Sequence, residues 1–196
     1  MQFGRAKKQS DPLDENDLHE YAVKSLGRRM RSESELRRLM LAKVERPGSE
    51  GDTGMTKINS VIARLKEYGY LDDTAFAENY TQLRQQNEKF GARRVIQELN
   101  RKGIAKQTIT DTIETKYAEV SEESLAREHL ERKRIRKPEN EKETARVMRR
   151  LISAGFSPGV IYKILRQWDV PEEALAALEN LDTAPHLDES DPALSD

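Results

Sequence analysis

The stretch ARRVIQELNRKGIAKQTITDTI (residues 92–113) decides the fold, because the chain contains it twice. Moved 52 residues along, it falls on TARVMRRLISAGFSPGVIYKIL (144–165). Arg94 then meets Arg146, Val95 meets Val147, Ile96 meets Met148 and Leu99 meets Leu151. Gly103 meets Gly155, Ile104 meets Phe156, Ile109 meets Ile161 and Ile113 meets Leu165. Within each copy the apolar residues recur every three or four positions, the period of an amphipathic helix, and a glycine stands where such a helix would end. Generic amphipathic helices would rarely share both the apolar register and the glycine-plus-apolar corner. The unit is therefore a pair of helices joined at a glycine.

Working outward, a leading helix repeats as well. Tyr21-Ala22, Phe76-Ala77 and Leu125-Ala126 align, and eight residues after each pair stands a base: Arg29, Arg84 and Lys133. A first, looser copy begins with the capping-box pattern Ser32-Glu33-Ser34-Glu35 and continues through Leu36 and Met40. Val44 occupies its glycine position, and Ile58 and Ile62 follow. Asp72 or Asp73 is expected to cap the helix carrying Phe76, Ser121 the one carrying Leu125, and Ser157-Pro158 to open the last. Period-two alternation is scarce, so the expected fold is all-α. It consists of three tandem three-helix repeats over 17–71, 72–117 and 118–170. Units of that size bury little alone, so stacking in series into an elongated, curved body is expected.

Other segments lack periodicity. Residues 1–16 carry no stripe and read as flexible. Residues 45–55 (ERPGSEGDTGM) combine three Gly, one Pro and three acids, the composition of a linker. Within 171–196, a short helix over 172–181 is expected before an acidic tail without a regular pattern.

Composition narrows the function. Charged residues make up 35% of the chain and apolar ones 36%, which is lean for a large core and suits thin helical seams. No cysteine is present, so thiolate metal sites, disulfides and cysteine nucleophiles are excluded. No apolar run approaches membrane length and no signal-like stretch opens the chain, so a cytoplasmic protein is expected. The net charge of −1 hides an asymmetry: residues 172–196 hold eight acids and no base, which leaves 1–171 at +7. A basic body favours a polyanionic partner or an acidic protein surface.

No catalytic, metal or cofactor constellation emerges. Asp72-Asp73 supplies two carboxylates without further oxygen ligands nearby, and capping explains it better. His19, His129 and His186 are scattered without ligand spacing. The chemistry lies in the bases. Candidate binding residues are Arg28, Arg29, Arg37 and Arg38 in the first repeat, and Arg84, Arg93, Arg94, Arg101 and Lys102 in the second. In the third they are Arg132, Lys133, Arg146, Arg149 and Arg150. Between Glu131 and Arg150 nine bases face four acids, so pairing leaves an excess. Two readings of these residues are open at this point: a helical DNA-binding protein or transcription regulator, and an interaction scaffold without nucleic acid.

The run Gly69-Tyr70-Leu71-Asp72-Asp73, with Phe76, Ala77 and Tyr80, then Arg84, Gly91, Arg93-Arg94, Ile96, Glu98-Leu99 and Lys102-Gly103-Ile104, resembles the bacterial RecX family. Ala22, Leu26, Arg29, Ser32 and Glu35-Leu36 extend the resemblance upstream, so that it covers roughly 17–170. The resemblance implies a non-enzymatic regulator of the RecA recombinase that binds the filament on single-stranded DNA. It implies inhibition of strand exchange, of ATP hydrolysis and of LexA self-cleavage, and hence modulation of recombinational repair and the SOS response. Weak binding of single- and double-stranded DNA is expected alongside, with a monomeric state as the default for an elongated body and no cofactor. Within the motif Gly69, Tyr70, Leu71, Asp72, Asp73, Phe76 and Gly103 are expected to be structural.

Overall fold

The computed structural model of the chain describes residues 14–44 and 51–171. Residues 1–13 and 45–50, the helix expected over 172–181 and the acidic tail lie outside them. Among the described residues there are nine α-helices and no strand. In chain order they are α1 (Glu15–Arg28), α2 (Glu33–Val44), α3 (Gly51–Glu67), α4 (Asp73–Leu83), α5 (Ala92–Arg101), α6 (Lys106–Tyr117), α7 (Glu122–Arg132), α8 (Glu141–Ser153) and α9 (Pro158–Gln167). The closest helix pairings fall within successive triplets: α1, α2 and α3 on one another, α4 on α6, and α7 and α8 on α9. The all-helical, three-by-three architecture read from the repeat is the one observed.

The described residues divide into two compact units, one of 14–44 and 51–86 with 95–119, the other of 87–94 with 120–171. In the first, Leu18, Ala22, Leu36, Met40, Ile58, Val61, Ile62, Leu65 and Leu71 form a continuous apolar cluster. Phe76, Ala77, Val95, Leu99, Ile104 and Ile109 are buried in the same unit. In the second, Leu125, Leu130, Val147, Met148, Leu151, Phe156, Ile161, Ile164 and Leu165 are buried. The helical members of each set recur at three- and four-residue spacing, and Leu71, Ile104 and Phe156 join them from the turns between helices.

Helix starts follow their sequence signals. Ser32 and Glu35 close the capping box at α2: Glu35 N–H donates to Ser32 Oγ at 3.1 Å and Ser32 N–H to Glu35 Oε2 at 3.3 Å. Asp72 caps α4, accepting from the N–H groups of Thr74 and Ala75 at 2.8 and 3.0 Å. Asp73 serves another helix, accepting from Glu33 N–H at the start of α2 (2.8 Å). Both carboxylates of the pair are thus engaged with helix termini. Ser157 stands at the N-cap of α9 but spends its side chain differently, donating from Oγ to Glu122 Oε2 at 2.7 Å.

Three expectations are corrected. The linker read over 45–55 ends by residue 50, because α3 begins at Gly51 and carries Asp52 and Thr53 in its first turn; composition alone overstated the break. The flexible N-terminus read as 1–16 ends earlier, since Asp14 forms a reciprocal capping box with Asp17 and α1 starts at Glu15. Tyr70, expected to be structural together with Leu71 and Phe76, is 63% exposed and edge-on to Tyr68, whereas Leu71 and Phe76 are buried.

The glycine corners explain the repeat. After α5, Gly103 N–H donates to Asn100 O (2.9 Å) and Ile104 N–H to Leu99 O (3.2 Å); after α8, Gly155 donates to Ile152 O (2.9 Å) and Phe156 to Leu151 O (3.1 Å). This is the Schellman pattern, with glycine in the left-handed region at φ +75° and +91° and an apolar residue following it into the core. Each corner also rests on an earlier helix. A Cβ on Gly103 would lie 2.5 Å from Ser34 in the first turn of α2, and one on Gly155 would lie 2.3 Å from Arg94 N in the first turn of α5. Equivalent hydrogen bonds join each pair, Ser32 Oγ to Lys102 O (2.6 Å) and Gly91 N–H to Ala154 O (2.9 Å). Each contact lies inside a single compact unit. The glycine is therefore required twice, by its own helix end and by the backbone approaching it.

Candidate polyanion-binding site

The candidate bases fall into three groups. Arg84 and Lys102 belong to a half-buried network in the first unit. Arg84 Nε pairs with Glu98 Oε2 at 3.0 Å, and Tyr80 OH donates to the same oxygen at 2.7 Å. Lys102 Nζ pairs with Glu35 at 2.9 Å and lies over the rings of Phe76 and Tyr80, 5.5 and 5.0 Å from their centroids. Burial pushes the Glu35 carboxyl up, but Lys102 and the Ser32 N–H outweigh it and hold the group below its ordinary value. Burial and the hydrogen bond to Glu98 push the Tyr80 phenol up. Arg37 is tied to Glu33 (3.0 Å) and Asn59. These three bases support helix packing.

A second group is exposed: Arg28, Arg29, Arg38, Arg93 and Arg101 have no carboxylate within ion-pair distance among the described residues. Arg29, Arg84 and Lys133, which share one repeat position, also share one structural position, the C-cap of the first helix of each triplet. A cation there is favoured by the helix dipole, which accounts for the recurrence without a common ligand.

The third group is assembled by the second unit around a cavity of about 630 Å³. Its wall holds five bases, Arg94, Lys133, Arg146, Arg149 and Arg150, with Phe90, His129, Ile135, Ser153 and Ala154, and no carboxylate among the described residues. The local reasons are simple. Val147, Met148 and Leu151 face the core, so residues 146, 149, 150 and 153 share the opposite side of α8. His129 and Lys133 are one turn apart at the end of α7. Gly91 and Gly155 meet backbone to backbone, which brings Phe90 and Arg94 to the wall.

His129 forms the floor. It is 4% exposed and lies between Phe90 and Phe156, with ring centroids 5.9 and 5.7 Å away. Its Nδ1 is 2.9 Å from Glu88 O, so the neutral ring donates there. Burial holds the imidazole below its ordinary value; the Glu88 carbonyl opposes this and the Lys133 charge adds to it. Glu88 lies in a single π-helical turn, Arg84–Glu88, that follows α4 and that the residue pattern did not announce. Its carboxylate accepts Lys133 at 3.0 Å, and the Arg94 guanidinium lies 5.7 Å from the Phe90 ring centre. Arg146, Arg149 and Arg150 have no carboxylate within ion-pair distance among the described residues. Arg132 points to Glu88 at 4.0 Å and is not on the wall.

Sequence reasoning named all five basic wall residues but neither Phe90 nor His129 as part of a site. The four-residue spacing of His129 from Leu125, which puts both on one side of a helix, was the available signal for its burial.

Comparison with known proteins agrees with this architecture. Residues 72–113 match the family described as RecX, second three-helix domain. The chain is 33% identical to the regulatory protein RecX of Salmonella newport over 77% of this chain and 91% of that protein. It is 34% identical to that of Cronobacter sakazakii over 78% and 92%. Among solved structures, a crystal structure of regulatory protein RecX superposes with a TM-score of 0.60 at 21% identity, covering 78% of this chain and 71% of that one. RecX from Lactobacillus salivarius gives 0.56 at 19% identity, covering 80% and 97%. These two likenesses are of fold. With the tandem helix triplets, the glycine corners and the sequence identity to full-length relatives taken together, the chain belongs to the RecX family of regulatory proteins.

Proposed function

We propose that this chain regulates the RecA recombinase, chiefly as an inhibitor, by binding the RecA filament on single-stranded DNA. In this reading it limits strand exchange, ATP hydrolysis and LexA self-cleavage, acts in the cytoplasm as a monomer, and catalyses nothing itself. Bare single- and double-stranded DNA bind weakly. The observation that carries the reading is membership of a family whose members are named regulatory proteins. The exposed, carboxylate-free arginines support it, since a filament on DNA presents both phosphates and acidic protein surface. On this reading Arg28, Arg29, Arg38, Arg93, Arg101 and the α8 arginines meet the partner, while Arg84, Lys102 and Arg37 hold the scaffold. Residues 17–71, 72–117 and 118–170 are the three repeats that act in series.

The test is RecA ATP hydrolysis on single-stranded DNA titrated with this protein, with DNA anisotropy run in parallel. Inhibition below one chain per RecA, where bare DNA remains unbound, supports a filament regulator. Inhibition only after the DNA is coated points to direct DNA binding, for which affinity falls with salt at a logarithmic slope of about −0.7 per phosphate contact.

A further inference from the structure

The cavity of the second unit has a property that a plain phosphate-tracking face lacks: its charge is concentrated rather than spread. Arg146, Arg149 and Arg150 lie at three- and four-residue spacing on one helix, so their side chains are neighbours. Lys133 and Arg94 add charge from two other segments. Like charges this close repel unless an anion fills the space between them. Lys133 is answered by Glu88 and Arg94 has a partner of its own, whereas Arg146, Arg149 and Arg150 face no carboxylate among the described residues. A single carboxylate or phosphodiester brings one negative charge, whereas a polyphosphate brings several within a few ångströms. Apart from Ser153, the rest of the wall is apolar or aromatic: Phe90, Ile135, Ala154 and the buried ring of His129. The volume of about 630 Å³ is that of a small-ligand pocket. One molecule carrying both a compact multiple negative charge and a flat ring fits both halves.

We propose that this cavity is a binding site for a free nucleoside polyphosphate, with the phosphates on Arg146, Arg149 and Arg150 and the base against Phe90 and Ile135. Charge-assisted, bidentate contacts from guanidinium groups suit phosphate oxygens. The site draws on the same α8 arginines that the filament reading assigns to the partner, so nucleotide and filament would compete for them, but the chain binds nucleotide with RecA absent.

The test uses the full chain alone, by titration calorimetry with ATP, AMP, inorganic tripolyphosphate and an oligo-dT strand. One ATP per chain is expected, with AMP weaker by about tenfold or more because it lacks the charge-assisted contacts of two phosphates. Tripolyphosphate should bind, but less tightly than ATP, because it lacks the base. R149E with R150E should abolish ATP binding, while the control R93E with R101E, exposed bases off the wall, should leave it intact. Circular dichroism of both pairs verifies folding. Equal affinity for ATP and AMP, several weak equivalents per chain, or ATP binding that survives R149E with R150E would each overturn the proposal. Binding of oligo-dT without ATP would also overturn it and assign the cavity to a strand. RecA is absent throughout, so failure here leaves the filament reading standing.

Discussion

The double demand on the corner glycines gives the sharpest test of the packing. Gly69, Gly103 and Gly155 all end helices with positive φ, at +70°, +75° and +91°. An alanine at any of them forces an L-residue into the left-handed region, at about 1–2 kcal/mol. Their surroundings differ. A Cβ on Gly69 meets nothing within 4 Å, one on Gly103 meets Ser34 Cβ and Oγ at 2.5 Å, and one on Gly155 meets Arg94 backbone N at 2.3 Å. Gly69→Ala should thus cost only the conformational ~1–2 kcal/mol. Gly155→Ala adds a clash with backbone that cannot turn aside, for a total of ~2–5 kcal/mol when ~1–3 kcal/mol of overpacking is included. Gly103→Ala should resemble Gly155→Ala, with one difference: its neighbour is a side chain. Ser34→Gly removes those atoms at a helix-propensity cost of ~0.5–1 kcal/mol. The double variant should recover most of the clash, giving a coupling of ~1–3 kcal/mol. Urea unfolding followed by circular dichroism measures the five variants against the wild type. Equal losses for Gly69→Ala and Gly155→Ala, or no coupling between positions 34 and 103, would refute the account of the corner as a docking surface.

Phe76, 4% exposed and stacked on Tyr80, should lose ~3–5 kcal/mol on truncation to Ala, whereas Tyr70→Ala, at an exposed ring, should stay within ~0.5 kcal/mol; thermal melts decide both. His129 has a folded-state value below its ordinary 6.5, so the unfolded chain binds the extra proton first as the pH falls. The second unit should therefore lose stability between pH 6.5 and the lower folded value. A urea midpoint that does not drop over this range, or drops equally in His129→Gln, would contradict the burial. Glu33 and Glu35, both held below their ordinary value, carry stability that is present above pH 4.5 and lost as the pH falls through their lower folded values, so acid melts should show a second loss there. If the α8 arginines meet the filament, R149E with R150E should weaken inhibition of RecA ATP hydrolysis and flatten its salt dependence; an unchanged salt slope would exclude them.

Helix caps, helix-ending glycines and apolar stripes were legible in the sequence because they act over three to five residues, within reach of a local pattern. The capping box at Ser32, the cap at Asp72 and the corners at Gly103 and Gly155 all fall where the residues placed them. The 52-residue repeat carried the three-by-three architecture for the same reason: it is the local pattern written again. What a local pattern does not carry is which partner a side chain finds. Arg84 and Lys102 looked like free bases until packing set Glu98 and Glu35 beside them. Asp73 looked like a spare cap until the start of α2 came within 2.8 Å of it. Tyr70 shares a motif with Leu71, yet the turn at Gly69 leaves the tyrosine exposed and the leucine buried. The cavity joins Phe90, His129 and Arg149, about 40 and 20 residues apart along the chain, and tertiary contacts such as the close backbone approach of Gly91 to Gly155 and the His129–Glu88 bond make them neighbours. Sequence determined the helices and their ends through short-range hydrogen bonding and periodic burial. Tertiary packing decided which charges became scaffold and which became a site, because desolvation and pairing depend on neighbours remote in the chain.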